Sequence, residues 1–273
     1  MKIILEENPQ RIIEAGVGTG RLFLPLINKA SRNTVCIGID ISKNMLKTLA
    51  KNLKGKEATL IHADICDKRI YVFDKANTLY TFATLHILTN NWKKAIDNFE
   101  YSITPNTGKI ILIEEINSVF HGSENLFLED DYRLESLYNL AVSHGVEEHT
   151  NIVQDIFKHY HKLRSDYGLN FMRFNSQIFH GDQSPAERYL RSKGFSQRTI
   201  QKPELRWIKP HTIKDITDAI NEGTVTTLGS DMPDEIRKNI SEELLVYCEK
   251  NNYPIEKNLF IPSEIQVNIF ERL

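Results

Sequence analysis

The sequence predicts an α/β fold: a doubly wound, mostly parallel sheet with an antiparallel last strand and a helical insertion. Three observations predict it. Over the first 117 residues, short apolar runs alternate with segments of helical periodicity, the pattern of a parallel sheet covered by helices. The run Lys109 to Ile113 is rich in isoleucine, as a strand buried on both faces should be. Near the C-terminus, Ile265, Val267 and Ile269 alternate with Glu264, Gln266 and Asn268, which predicts a half-exposed strand antiparallel to its neighbour.

Arg11 to Ala15 is the first buried strand, followed by a glycine turn and an apolar helix from about Arg21 to Ala30. Thr34 to Ile39 is the second strand. Ser42 then caps a helix whose Met45, Leu46, Leu49 and Leu53 share a face and which stops at Gly55. Ala58 to Ile61 and Ala76 to Tyr80 are the next strands, and Trp92 to Tyr101 is a helix ended by Pro105 and Gly108. Residues 118–183 are mixed, aromatic and mostly helical in period. Ser184-Pro185-Ala186-Glu187 forms a capping box with proline at the first helical position, and Gly194 ends that helix. A strand from about Ser196 to Ile200 follows, then two helical pieces between Thr212 and Asn251, broken around Gly223 to Pro233. The expected organisation is 1–117 as a ligand-binding half, 118–183 as a helical insertion, and 184–273 as the rest of the sheet with a second helical insertion at about 210–260.

Composition narrows the function classes. The 273 residues are 41% hydrophobic and 26% charged, ordinary values for a soluble globular protein. Lys plus Arg total 34 against 36 Asp plus Glu, so the net charge of -2 gives no global footprint for nucleic acid or an anionic membrane. Cys36, Cys66 and Cys248 form no paired motif, which argues against a disulfide framework or zinc site and for a reducing compartment. No signal-like or membrane-length apolar run is present, so a cytoplasmic location is expected.

The chemistry lies in a spaced set of residues. A strand ends in Glu14, the turn Gly16-Val17-Gly18-Thr19-Gly20 follows, and Asp40 stands 20 residues beyond Gly20 at the end of the next strand. Glycines permit tight positive-φ turns and let a ligand approach the backbone, while an acid after the second strand can accept hydrogen bonds from ribose hydroxyls. An adenosine-like ligand across the strand ends fits both. The dinucleotide fingerprint G-x-G-x-x-G does not fit, because the third glycine comes one residue early and Arg21 stands where Gly or Ala is wanted. Asp40 has a plainer reading as a helix cap, although Ser42 is better placed for that.

G-x-G-x-G preceded by an acid resembles the class I S-adenosylmethionine-dependent methyltransferases, and the resemblance spans about residues 10 to 117. It implies a Rossmann-like, seven-stranded sheet with S-adenosyl-L-methionine as cofactor. It also implies that Glu14 helps hold the cofactor's methionine end, partly through the loop or water, and that Gly16, Gly18 and Gly20 line that end. By the same resemblance Asp40 binds the ribose, Ile41 packs on the adenine, and Asp64, with Ile65 beside it, meets the adenine amino group. The loop Phe82-Ala83-Thr84-Leu85-His86 touches the methionine part and faces the acceptor. The plainer reading of Asp64 is a solvated loop carboxylate.

Methyl transfer from a sulfonium needs alignment of the acceptor, with a general base only for a protonated hydroxyl or amine. His86 is the candidate base; the alternative is a histidine packed at the start of a helix. Glu114 and Glu115 end the fifth strand at the same edge and are candidates for touching acceptor or cofactor, or are loop carboxylates. The histidines from His144 to His180 invite a metal, but His159 and His161 diverge on a helix, His144 and His149 are poorly spaced, and no metal is expected. Within the insertion, Phe127, Tyr132, Tyr138, Phe157, Tyr160 and Tyr167 could line an acceptor pocket, or form that segment's own core or an oligomer interface. The expected activity is methylation of a small-molecule hydroxyl or amine by a monomer or homodimer. Thr81-Phe82-Ala83-Thr84 lacks the Pro-Pro-aromatic run of enzymes that methylate nucleic-acid amines. RNA or protein methylation, and cofactor binding without catalysis, remain the alternatives.

Overall fold

A parallel strand buried on both faces needs apolar side chains in both directions, and Ile12, Ile13, Ile37, Ile39, Leu79, Ile110 and Ile111 supply them. In the computed structural model these residues build β1 (Arg11–Ala15), β2 (Val35–Asp40), β3 (Thr59–His62), β4 (Thr78–Phe82) and β5 (Lys109–Asn117). The described residues are 1–71, 74–117, 139–169, 184–200, 205–223 and 232–272, without the side chains of His86, Thr89, Asn90 and 115–117. β1 pairs in parallel with β2 and β4, β2 with β3, and β4 with β5. The sheet continues through β8 (Leu259–Arg272) to β6 (Phe195–Ile200), giving the order β3-β2-β1-β4-β5-β8-β6. The antiparallel β6–β8 pairing confirms the expected last strand.

The helices follow their local signals. α1 (Phe23–Ile27) is shorter than the Arg21 to Ala30 expected, and its end tightens where Lys29 N–H donates to Leu26 O, an i to i−3 bond. α2 (Lys43–Asn52) starts where Ser42 Oγ accepts from Met45 N. α3 (Trp92–Ser102) buries Ala95, Ile96 and Phe99. α4 (Glu147–Asp166) lies in the histidine-rich stretch. α5 (Pro185–Ser192) has the Ser184 cap and Pro185 in its first turn, and Gly194 follows it at φ 83°. α6 (Ile213–Glu222) carries a complete Thr212–Asp215 capping box and ends on left-handed Gly223, and α7 (Asp234–Lys250) follows.

The chain divides into two compact units. The first comprises Met1–Glu115, Asn175–Gln201 and Ile265–Leu273; the second comprises Ile116–Phe174 and Lys202–Glu264. The first unit has a core of Ile13, Ile37, Leu79, Phe99, Ile110 and Phe195 with their neighbours. The second has its own, in which α4 contributes Val153, Ile156, Phe157, Tyr160 and Leu163, against Ile216, Ile240 and Leu244. Phe157 and Tyr160 are therefore core residues, Tyr167 donates to Glu243 Oε1 at 2.6 Å, and Phe127, Tyr132 and Tyr138 lie outside the described residues.

Two expectations are corrected. Seven strands were expected, and the described residues form eight: β7 (Arg206–His211) pairs antiparallel with the first half of β8. Arg206–His211 contains Pro210, which lacks a ladder donor and masks a strand in the sequence. The polar side of β8 is also buried: Asn268 Oδ1 accepts from Thr199 Oγ1 at 2.9 Å and from Gln266 Nε2 at 3.3 Å. Alternation shows that one side is apolar; it does not show that the other is wet, because buried polar groups are tolerated once hydrogen-bonded.

Candidate active site

β1 lies between β2 and β4, and the chain leaves β1 for one side of the sheet and arrives in β4 on the other. Ligands bind in open α/β sheets at such a switch point, beyond the carboxyl ends of the strands. The glycine loop, Asp40 and Phe82 all stand at those ends. Gly16 N and Val17 N donate to Ile39 O at 2.8 and 3.0 Å, which ties the loop to the end of β2.

The glycines divide by role. Gly16, Gly18 and Gly20 have φ of 79°, 52° and 86°, in the left-handed region. A Cβ on Gly16 would stand 2.3 Å from Thr84 Oγ1, and one on Gly20 would stand 2.4 Å from Leu49 Cδ1. Those two make room for protein. A Cβ on Gly18 would meet only Met45 Sδ, at 3.7 Å, so Gly18 is the member with space beside it.

Asp40 organises the loop. Its Oδ2 accepts from Gly18 N at 2.7 Å and its Oδ1 from Ser42 N at 2.8 Å, so one carboxylate joins the glycine turn to the start of α2. Each oxygen has a second lone pair for a further donor. Next to it, Ile41 is 68% exposed, an apolar side chain held in solvent at the strand end, and its carbonyl oxygen is 2.9 Å from His62 Nε2. Asp64 is exposed and accepts from Cys66 N at 2.8 Å. Ile65 is different: its side chain is in the core, and its carbonyl accepts from Tyr71 Oη and Asn98 Nδ2, both at 3.1 Å.

Glu14 is 1% exposed. Tyr80, its partner in the β1–β4 register, donates to Glu14 Oε2 at 2.5 Å. Burial pushes the Glu14 carboxyl up to about 8; the Tyr80 hydrogen bond opposes this and the Asp40 charge adds to it. The Tyr80 hydroxyl is pushed well above its ordinary range by burial and by Glu14. After β4, Ala83 takes a left-handed φ of 49° and its N–H donates to Ile113 O at 2.8 Å. Thr84 Oγ1 donates to Phe82 O at 2.9 Å and lies 3.3 Å from Gly16 O, while exposed Arg21 places its guanidinium 5.2 Å from the Phe82 ring centroid.

Glu114 is buried and accepts from Leu85 N at 3.3 Å, which holds the turn after β4. His86 falls in the short 3-10 helix Leu85–Asn91; its side chain and that of Glu115 lie outside the described residues. Motif reasoning passes over Tyr80, and it names Thr84 only as part of the loop after β4. A detectable signal existed for Tyr80: a tyrosine and a glutamate inside adjacent doubly buried strands each need a partner, and each is the other's.

In the second unit, His149 Nδ1 accepts from Phe260 N at 3.2 Å and His159 stacks on Tyr247 with ring centroids 3.7 Å apart. Burial pushes His161 down to about 4, and His180 lies outside the described residues. Among the described residues no group of three or more His, Cys, Asp or Glu could hold a metal ion.

A family model described as a methyltransferase domain matches residues 12–106, the span from β1 to the end of α3 and the turn after it. Residues 12–106 thus match a methyltransferase domain. Two solved structures share its fold over nearly the whole length. The YcgJ protein of Bacillus subtilis is 15% identical, with a TM-score of 0.55, covering 100% of this chain and 96% of that one. A candidate methyltransferase of Bacillus halodurans is 12% identical, with a TM-score of 0.54, covering 99% and 96%. Among curated protein sequences none matches significantly. The residues present fit S-adenosylmethionine as the methyl donor of such a domain. Gly18 has open space, Asp40 keeps acceptor capacity, Ile41 offers an exposed apolar face, and Glu14 is a buried carboxyl with no cationic partner among the described residues. No described helix is long and apolar enough to cross a membrane.

Proposed function

We propose that this methyltransferase modifies a hydroxyl or amine of a small molecule by direct in-line transfer. The observation that carries the cofactor half of this proposal is the Asp40 carboxylate, which grips Gly18 N–H and Ser42 N–H together beside exposed Ile41. Asp40 would accept from the ribose, Ile41 would cover the adenine, and Asp64 would meet its amino group. The Gly16–Gly20 loop, Glu14 and Phe82 would hold the methionine end. Ile65 contributes through its place in the core. The cofactor supplies an electrophilic methyl on a sulfonium, so the protein must align the acceptor and exclude water.

The balanced charge and the Thr81-Phe82-Ala83-Thr84 segment support a small acceptor over nucleic acid. We assign acceptor choice to the 118–183 insertion, and the general base to His86 by its position in the turn after β4. The test is S-adenosylhomocysteine formation with a panel of small hydroxyl and amine acceptors, against RNA and protein controls. Turnover confined to the small acceptors supports the proposal, and turnover confined to RNA or protein contradicts it. With an active acceptor, His86→Ala should lower kcat by about 10²-fold or more and remove the acidic limb of the pH profile. An unchanged profile would remove His86 from the mechanism.

A further inference from the structure

The cofactor site of the first unit holds two carboxyl groups, Glu14 and Asp40, that act on one another. Asp40 is matched by two backbone N–H groups. Among the described residues Glu14 is matched only by the Tyr80 hydroxyl, itself buried, and the other groups that face this pair are Asp40 and the Cys36 thiol of β2. Arg21, behind the glycine loop, is exposed and lies over the Phe82 ring. A carboxyl so enclosed, with one donor and no counter-charge, is more stable with its proton than without it.

We propose that Glu14 and Tyr80 form a proton-holding pair that senses the charge of the ligand's amino-acid end, with Tyr80 as the positioning residue. This rests on the assignment of the methionine end to the glycine loop. Without ligand, the Glu14 carboxyl is neutral and its Oε2 accepts from Tyr80. When an α-ammonium binds, directly or across the loop, its charge stabilises the carboxylate in a site of low dielectric. The Glu14 O–H bond then breaks, the electron pair stays on the carboxylate, and the proton passes to solvent; the ammonium keeps its own protons. Tyr80 continues to donate to Oε2, which keeps the new charge hydrogen-bonded and fixes the carboxylate plane. The raised titration of Glu14 agrees with this and sets the range: at neutral pH, binding should release close to one proton.

The experiment is calorimetric titration of the whole protein with S-adenosylhomocysteine, in buffers that differ in ionisation enthalpy, beside 5′-methylthioadenosine, which has the nucleoside but no ammonium. The expected result is release of nearly one proton with the first ligand and none with the second, and affinity for the first rising by up to about tenfold per pH unit below the Glu14 titration. Glu14→Gln should abolish the release and flatten the pH dependence. Tyr80→Phe should keep the release but move the affinity plateau to higher pH, because the hydrogen bond favouring the carboxylate is gone; an unmoved plateau would deny Tyr80 its role. Binding without proton release, equal release with both ligands, or release persisting in Glu14→Gln would overturn the proposal while leaving the cofactor site standing. Failure of both ligands to bind would overturn the site and the proposal together.

Discussion

At Gly16 and Gly18 the same residue type serves different ends. Gly16→Ala would force a Cβ to 2.3 Å from Thr84 as well as straining the backbone, whereas Gly18→Ala meets only Met45 Sδ at 3.7 Å and pays for its φ of 52°. The left-handed penalty alone is about 1–2 kcal/mol. We therefore expect Gly18→Ala to lose no more than that in thermal unfolding yet bind S-adenosylhomocysteine at least about tenfold more weakly, while Gly16→Ala loses more stability. Glu14 gives a pH signature. Folding raises its carboxyl from 4.5 to about 8, so the folded chain holds a proton that the unfolded chain releases across that window. Stability must then fall as pH rises through it. Glu14→Gln removes this loss, and the Tm of the ligand-free variant relative to wild type should rise between about pH 5 and about pH 8.5. A constant difference would show that Glu14 is not titrating there.

Elements were legible wherever a chemical signal was local. Ser42 and Ser184 both cap the helices they announce, since a cap needs only a side-chain oxygen and the N–H groups that follow. The order Glu14, Gly16–Gly20, Asp40 exposed the cofactor edge because each lies at the end of a strand. The strand Arg206–His211 was hidden because its pairing partners lie 48 to 58 residues further on and Pro210 interrupts its pattern. The pairing of Tyr80 with Glu14, and that of Thr84 with Gly16, were hidden for a similar reason: the partners are 66 and 68 residues apart. The α2 cap also tests how the site is held. Ser42→Ala removes the Oγ bond to Met45 N and should cost about 1 kcal/mol, but it leaves Ser42 N–H on Asp40. Thermal unfolding should register that loss while S-adenosylhomocysteine affinity stays within about threefold. A larger loss of affinity would mean that the side-chain cap, and not the backbone, sets the position of Asp40.

Across the whole molecule, two separate hydrophobic cores divide the chain into a cofactor-binding unit and a second unit. Separate cores allow separate cooperative melting. Scanning calorimetry should resolve two transitions, and S-adenosylhomocysteine at about 100 times its Kd should stabilise only the first unit's, by about 2.7 kcal/mol. One transition shifted as a whole would show that the units unfold together. The donor was legible in the sequence because its motif is short and sits on strand ends; acceptor choice was not, because no short local motif announces it.

The central claim is that the Asp40-anchored glycine loop binds S-adenosylmethionine, and equilibrium titration with S-adenosylhomocysteine tests it most directly. Wild type should bind one molecule per chain, and Asp40→Ala, folded by circular dichroism, should bind at least about tenfold more weakly, having lost its acceptor for Gly18 N–H, Ser42 N–H and the ribose together. Equal affinity in both proteins, or binding of a nicotinamide dinucleotide in place of S-adenosylhomocysteine, would contradict the account.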